Sequence, residues 1–251
     1  MRVRQQMAFI LHHSHYGESS LLVEVFARDH GRLGLIAKGA RRPRSSLRAL
    51  LVPFQPLLID WVGRGDLGTL AGAEPAGGAI ELSGGQAYCG LYMNELLVRL
   101  LHRHDPHEDL FDIYCLSLAR LRDPDVTEVA LRLFEKHLLQ DLGYGLVLDR
   151  EVSGNSPIAA DVDYDYVLDR GPVPAPAADG GIRVKGASLL ALALGQFPDA
   201  AALRESKALT RACLARHLGD RPLHSRKLFR RVAPLIAVET TLETELDEAG
   251  R

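Results

Sequence analysis

The sequence predicts an α+β protein in which a five-stranded barrel comes first and an α-helical domain follows. Up to residue 80 the apolar residues form runs of strand length separated by turn residues, whereas from residue 83 they recur at helical spacing. The chain has 251 residues, of which 47% are hydrophobic and 25% are charged. This composition is typical of a globular protein with room for two modest domains, and it excludes the disordered and fibrous classes.

Five apolar runs of strand length occupy the first eighty residues. Turn-forming residues separate them, including Tyr16-Gly17-Glu18, Asp29-His30-Gly31 and Gly63-Arg64-Gly65-Asp66. Because no helical pattern intervenes, we expect the strands to close into a small barrel, which removes exposed edges. The five-stranded member of that class is the oligonucleotide-binding (OB) fold. The runs are Met7–Leu11, Leu21–Phe26, Leu33–Ala37, Leu57–Val62 and Leu67–Ala71.

Three amphipathic helices are predicted after the barrel. Their apolar residues recur from Tyr88 to Leu101, from Leu110 to Leu121 and from Val126 to Leu138. Asp123-Pro124 predicts the start of the third helix, and Gly143 predicts a left-handed stop after it.

A segment rich in glycine, proline and aspartate then interrupts the helices at residues 144–182, with one strand-like run at Tyr164–Leu168. Helical spacing resumes at Ser188–Leu194, returns from Pro198-Asp199 to Leu218 and ends at Gly219, and a last short helix is predicted over Ser225–Val232. The predicted organisation is therefore an OB-fold domain at 1–80, a helical domain at 81–235 with an excursion at 146–182, and a frayed acidic tail at 236–251.

Charge is unevenly distributed along the chain, although the net charge is only -2. Residues 1–80 carry ten Lys/Arg and six Asp/Glu, residues 81–203 carry ten and nineteen, and residues 204–231 carry nine and two. Two basic zones thus flank an acidic middle, as expected of a nucleic-acid footprint if the fold brings the zones to one face.

The first basic zone contains a cationic loop directly after the third predicted strand. Gly39, Pro43 and two serines keep the loop extended, and it contains no carboxylate. Such a loop suits a phosphate backbone, but it also suits a solubilising surface loop, and its residues alone leave both readings open. Its cations are Lys38, Arg41, Arg42, Arg44 and Arg48.

The second basic zone lies on the last long helix and just beyond it. Few glutamates are interleaved at four-residue spacing, which favours an anionic partner over a solvated helix face. The candidate DNA-binding residues here are Lys207, Arg211, Arg226, Lys227 and Arg230.

Signals for catalysis or metal binding are weak. His12, His13 and His15 point to different faces of a strand, and the alternating Asp161, Asp163 and Asp165 fit a solvated turn better than a cation site. The three cysteines are far apart and fit buried thiols in a reducing compartment. We expect a cytoplasmic protein that is not an enzyme and that has no cofactor, no metal and no membrane segment.

Several short motifs occur in colinear order over nearly the whole chain. The motifs are Tyr16-Gly17-Glu18, Gly31-Arg32, Ala37-Lys38-Gly39-Ala40-Arg41, Tyr92-x-Asn94-Glu95-Leu96-Leu97, Leu131-Arg132-x-Phe134-Glu135, Leu142-Gly143-Tyr144-Gly145, Phe197-Pro198-Asp199-Ala200 and Ser225-Arg226-Lys227-Leu228-Phe229-Arg230. Together they resemble the motifs of the bacterial recombination mediator family RecO, in particular of its proteobacterial members.

The resemblance implies an OB-fold barrel with a helical domain, and a nucleoid-associated DNA repair and recombination mediator. Such a protein binds single- and double-stranded DNA, anneals complementary strands coated with single-strand-binding protein, and works with RecR to help RecA replace that coat. Some family members carry a four-cysteine zinc module. Residues 146–182 contain no cysteine, so zinc is not expected here.

The resemblance also implies a receptor for the acidic C-terminal tail of single-strand-binding protein, in which Arg132 matches a basic residue. The residues alone equally allow Arg132 to bridge to Glu128 or Glu135 on its own helix. The base-stacking residue stays unassigned, because Trp61 and Phe54 also fit the core. We expect a monomer, and the rival reading is an adaptor that binds only proteins.

Overall fold

The computed structural model describes residues 2–63, 65–177, 180–225 and 227–228. They form two compact units, one made of residues up to Phe111 together with 221–228, and the other of 112–220. The division therefore falls inside a helix about thirty residues beyond the predicted boundary at 80.

The first unit contains the predicted barrel. Its five strands are β1 (Arg2–Tyr16), β2 (Ser20–Ala27), β3 (Gly31–Ala37), β4 (Pro56–Val62) and β5 (Leu67–Pro75), and the short helix α1 (Leu47–Leu50) lies between β3 and β4. The strands close in the order β1-β2-β3-β5-β4, with β4 pairing back to β1. All pairs are antiparallel except β3 with β5. The predicted OB-type barrel is confirmed.

Alternation along the strands explains how the barrel closes around a core. Residues of one parity, such as Val23, Val25, Leu33 and Leu35, are at most 1% exposed and fill the interior. Their neighbours face outward. At the β2–β3 turn Gly31 has φ +64°, and a Cβ there would come within 1.7 Å of the Asp105 carbonyl oxygen, so only glycine fits.

Two helices continue from the barrel, α2 (Gly84–Leu100) and α3 (Glu108–Arg120). The α2 helix packs on β1, where buried Asn94 donates its Nδ2 hydrogen bond to the Leu11 carbonyl at 3.0 Å. Phe111 at the start of α3 packs against Phe9 and Phe26, with ring centroids 5.7 and 5.3 Å apart. These contacts explain why the first unit extends past the predicted domain boundary.

The second unit is helical with a small sheet. Its helices are the rest of α3, then α4 (Thr127–Asp141), α5 (Gly186–Leu194) and α6 (Ala200–Leu218). The predicted helix starts and stops are present: Asp123 accepts a hydrogen bond from the Asp125 amide at the 3-10 turn before α4, and Gly143 has φ +82°.

The excursion is more regular than predicted. Instead of one strand it contains an antiparallel sheet of β6 (Asp163–Val167), β7 (Gly171–Pro174) and β8 (Ile182–Lys185), with β6 in the centre. The two missed strands are four residues each. β7 contains two prolines, which argue against a strand, whereas β8 does alternate between apolar and charged residues, but over too short a run to distinguish it from the start of α5.

Candidate nucleic-acid interface

The cationic loop runs from the end of β3 into α1, which carries Arg48, and it is folded back on the β1–β2 turn rather than extended as predicted. The Arg41 amide donates to the Ser19 carbonyl at 2.9 Å, and its Nη1 donates to the carbonyls of Gly17 and Glu18 at 3.2 and 3.1 Å. Two further turns within the loop are closed by backbone hydrogen bonds from Arg42 to Gly39 and from Ser45 to Arg42, both at 3.0 Å. The loop is therefore held in a defined position beside this turn.

The charges of this loop face solvent and meet no carboxylate in the described part of the chain. The side chains of Lys38, Arg42, Arg44 and Arg48 are exposed, and Arg41 is half-buried against carbonyl oxygens. No ion pair found among the described residues involves any of the five. A cation that meets only carbonyls and water keeps its charge available for an anion such as a phosphate.

The middle of the outward β2–β3 face has a different character. There Glu24 forms an ion pair with Arg103 and a second one with Arg32, whose Nε lies 3.6 Å from the Glu24 carboxylate. Arg103 also donates to the Asp66 carbonyl at 3.0 Å, and its guanidinium lies 3.1 Å from where a Cβ of Gly34 would be. Glu24 balances only one of these two charges, but protein oxygens hold both guanidinium groups, so they are less available to a phosphate than the exposed cations of the loop.

The second basic zone is partly neutralised by a residue from another helix. Lys207 Nζ on α6 lies 2.7 Å from Oε1 of Glu128 on α4. Although burial raises the pKa of Glu128, the hydrogen bond and charge of Lys207, with the charges of Arg132 and Arg211, hold it below its ordinary value. The sequence could not show this pairing, because the two residues are 79 positions apart.

The remaining candidates lie at the end of the described chain. Lys227 is exposed, whereas Arg226 and Arg230 lie outside the described residues, as does most of the last predicted helix. The preceding residues are fixed to α2, because Glu95 accepts hydrogen bonds from the amides of His224 and Ser225 at 2.8 and 2.9 Å.

Arg132 is buried. Only 1% of its side chain is exposed, and its Nη2 lies 2.9 Å from the Glu135 carboxylate one turn along α4. Glu135 also accepts a hydrogen bond from the Thr210 hydroxyl on α6. The sequence allowed Arg132 either to bind a partner or to form an ion pair on its own helix, and the structure contains its ion pair with Glu135. The Nε and Nη1 atoms of Arg132 have no hydrogen-bond partner among the described residues.

The structure also shows where the His and Asp residues considered for metal binding lie. His12, His13 and His15 are exposed on β1, and Asp165 pairs with Arg183 at 2.7 Å. Within the described ranges no three His, Cys, Asp or Glu side chains are grouped so as to hold a metal ion. Nor does any described helix combine the length and apolarity needed to span a bilayer.

The sequence suggested Trp61 and Phe54 for base stacking but did not point to Tyr16. Trp61 is 7% exposed and belongs to the barrel core, so it offers a base little surface for stacking. Tyr16, at the end of β1, is 45% exposed. Its position directly before the turn that anchors Arg41 could have drawn attention to it.

Comparisons with known proteins agree with this picture. The family model "Recombination protein O N terminal" matches residues 1–79, and "Recombination protein O C terminal" matches residues 83–227. The chain is 49% identical to the DNA repair protein RecO of Nitrosococcus oceani, in an alignment that covers 94% of this chain and 96% of the relative. It is 46% identical to the DNA repair protein RecO of Aromatoleum aromaticum, over 93% of this chain and 98% of the relative.

The two family models together cover the barrel and the helices that follow it, and they agree with the resemblance that the sequence motifs indicated. This chain belongs to the recombination protein O (RecO) family.

Proposed function

We propose that this chain is a DNA repair and recombination mediator that binds single- and double-stranded DNA through the phosphate backbone and anneals complementary strands. The observation that carries the proposal is the cationic loop, where four exposed cations and Arg41 meet no carboxylate among the described residues. Backbone binding of this kind depends little on base sequence, and binding and annealing break no covalent bond, so the role that we propose is not enzymatic.

Lys207, Arg211, Arg226, Lys227 and Arg230 are proposed as a second set of phosphate contacts. Lys207 is already paired with Glu128, so a phosphate there must compete with a carboxylate. For this reason we assign the larger share of DNA affinity to the cationic loop.

We further propose that the chain acts on strands coated with single-strand-binding protein and works with RecR to help RecA replace that coat, as a monomer at the nucleoid. Arg132 is proposed as part of the receptor for the acidic tail of single-strand-binding protein. Because the Arg132 guanidinium is buried and paired with Glu135, an incoming carboxylate would have to reach its Nε and Nη1 or displace Glu135.

The test reverses charge on the loop. Arg42→Glu with Arg44→Glu should weaken binding of a single-stranded oligonucleotide by roughly tenfold or more and slow annealing, because two phosphate contacts become repulsions. Both side chains are exposed, so the fold should persist, as circular dichroism would show.

Arg120→Glu with Arg122→Glu is the matched control, since both arginines are exposed and the change in net charge is the same. If both double variants lose the same affinity for the oligonucleotide, net charge alone determines binding and the loop has no special role. If the wild-type protein binds no oligonucleotide even at low salt, the chain is instead an adaptor that binds proteins.

A further inference from the structure

The barrel presents one exposed aromatic ring beside its cationic loop. Among the described residues 2–63 and 65–75, Tyr16 is the most exposed Phe, Tyr or Trp, with 45% of its surface accessible. Phe9, Phe26 and Trp61 are buried, and Phe54 is half-buried. An aromatic ring left in water at a strand end gains nothing for the core, and nucleobases are the flat apolar groups that stack on such rings.

Strand register places apolar side chains on the same outward face. Ser14 on β1 pairs with Leu22 on β2, which pairs with Ile36 on β3, and these residues alternate with the buried Leu21, Val23 and Leu35. Leu22 and Ile36 are only half-buried. They form an apolar row next to the row that begins with Tyr16.

The same register relates the ring to the first cation of the loop. Tyr16 pairs with Ser20, and the neighbouring Leu21 pairs with Ala37, the last residue of β3, which Lys38 directly follows. Tyr16 and Lys38 thus lie at strand ends that are two strand spacings apart, about 10 Å across the sheet. Since a stacked strand carries one phosphate about every 3.4 Å, the ring and this cation fall within about three nucleotides of one strand.

Arg41 connects the loop to the backbone that follows the ring. Its guanidinium donates to the carbonyls of Gly17 and Glu18, the two residues after Tyr16. The hydrogen bonds hold the cationic loop and the strand end in a fixed relation, which a joint site for bases and phosphates requires.

The other strongly exposed tyrosine is a weaker candidate. Tyr144 is 51% exposed, but its ring is already stacked on His217, with centroids 3.8 Å apart and planes 20° apart. Nearby Arg216 is paired with Asp169. One face of this ring is occupied and its neighbouring cation is neutralised, which makes Tyr144 a useful control.

We propose that Tyr16, with Leu22 and Ile36 beside it, is the platform on which bases of a single strand stack while Lys38, Arg41 and Arg42 hold the adjoining phosphates. This inference rests on the proposed DNA binding and assigns its base-contacting surface. It predicts a component of affinity that depends on bases, yet not on their sequence, because every base has a face that can stack.

The test compares two fluorescently labelled oligonucleotides of equal length, oligo-dT and an abasic strand with the same phosphates, binding to the full chain by anisotropy. The wild-type protein should prefer oligo-dT. Tyr16→Ala should weaken oligo-dT binding by about tenfold and abasic binding by less than about twofold. Tyr16→Phe, which keeps the ring, should bind both strands like the wild type, and Tyr144→Ala should preserve the preference for oligo-dT.

Three results would overturn the inference while leaving DNA binding intact: wild-type protein that binds both strands equally, Tyr16→Ala with unchanged oligo-dT binding, or Tyr16→Ala that loses affinity for both strands to the same degree. Binding of neither strand by wild-type protein would overturn the proposed function itself. Because Tyr16 is exposed, we expect thermal unfolding of Tyr16→Ala to match that of the wild type.

Discussion

At the scale of single residues, the neighbours of each cation decide whether its charge is available to a ligand. The sequence identified the cations of both basic zones equally well. It could not distinguish Arg42, which faces solvent, from Lys207, which meets Glu128. Local spacing predicts helix pairs four positions apart, whereas a carboxylate from another helix depends on the tertiary fold.

The pairing of Glu128 leads to a prediction about DNA affinity. Glu128→Gln removes the carboxylate that competes with phosphate for Lys207 and that also lies close enough to Arg211 to interact electrostatically with it. We expect the variant to bind a single-stranded oligonucleotide a few-fold more tightly at low salt. Anisotropy titrations would measure this, with Glu81→Gln, an exposed site with the same charge change, as control. Unchanged affinity would show that the α6 cations do not contact DNA.

Glu95 gives a prediction about pH. Burial raises its pKa, but hydrogen bonds from Ser225 and His224 outweigh burial and lower the pKa below the ordinary value of 4.5. The carboxylate therefore contributes stability that is complete above about pH 4.5 and is lost as the pH falls through the lowered pKa of the folded state.

Urea unfolding of wild type and Glu95→Gln tests this. The wild type should be the more stable at about pH 6, and the difference should shrink at a second, more acidic pH well below about 4.5, because protonation of the folded protein at Glu95 removes the charge that the hydrogen bonds stabilise. A difference that is the same at both pH values would contradict the assigned hydrogen bonds.

At the scale of elements, the five barrel strands and the long helices follow from apolar periodicity and terminal residues. All five strands were predicted within a few residues, except that β1 begins five residues earlier and continues to Tyr16. The extension was missed because Arg2, Arg4 and the histidines interrupt the apolar run. The short α1 and two strands of the small sheet were also missed, because each is only four residues long, the shortest run over which a period can be recognised.

The start of α6 is an element whose stability can be tested. Asp199 accepts a hydrogen bond from the Ala202 amide at 2.8 Å and caps the helix that carries Lys207 and Arg211. Asp199→Ala should lower the free energy of unfolding by about 1 kcal/mol. Asp199→Asn, which keeps an oxygen acceptor, should lower it by less. Denaturant unfolding would measure both variants. If they lose the same free energy of unfolding, the charge of Asp199 matters rather than its hydrogen bond to the Ala202 amide.

At the scale of the whole molecule, the net charge of -2 conceals the distribution that supports DNA binding. The sequence predicted the fold class, the family and the position of the cationic loop. It could not predict that Glu24 pairs with both Arg32 and Arg103 on the barrel face, or that Tyr16 stays exposed, because both depend on strand register and on a segment that follows α2.

The salt dependence of binding to a single-stranded oligonucleotide tests the central claim most directly. If the four exposed loop cations each neutralise one phosphate, the logarithm of the binding constant should fall with the logarithm of salt concentration with a slope of about -3 between about 50 and 200 mM, and more steeply if α6 contributes. Replacing Lys38, Arg42, Arg44 and Arg48 by alanine should make the slope shallower by about 3, and any remaining slope reports the other proposed phosphate contacts. A wild-type slope near zero, or an unchanged slope in this variant, would contradict the account.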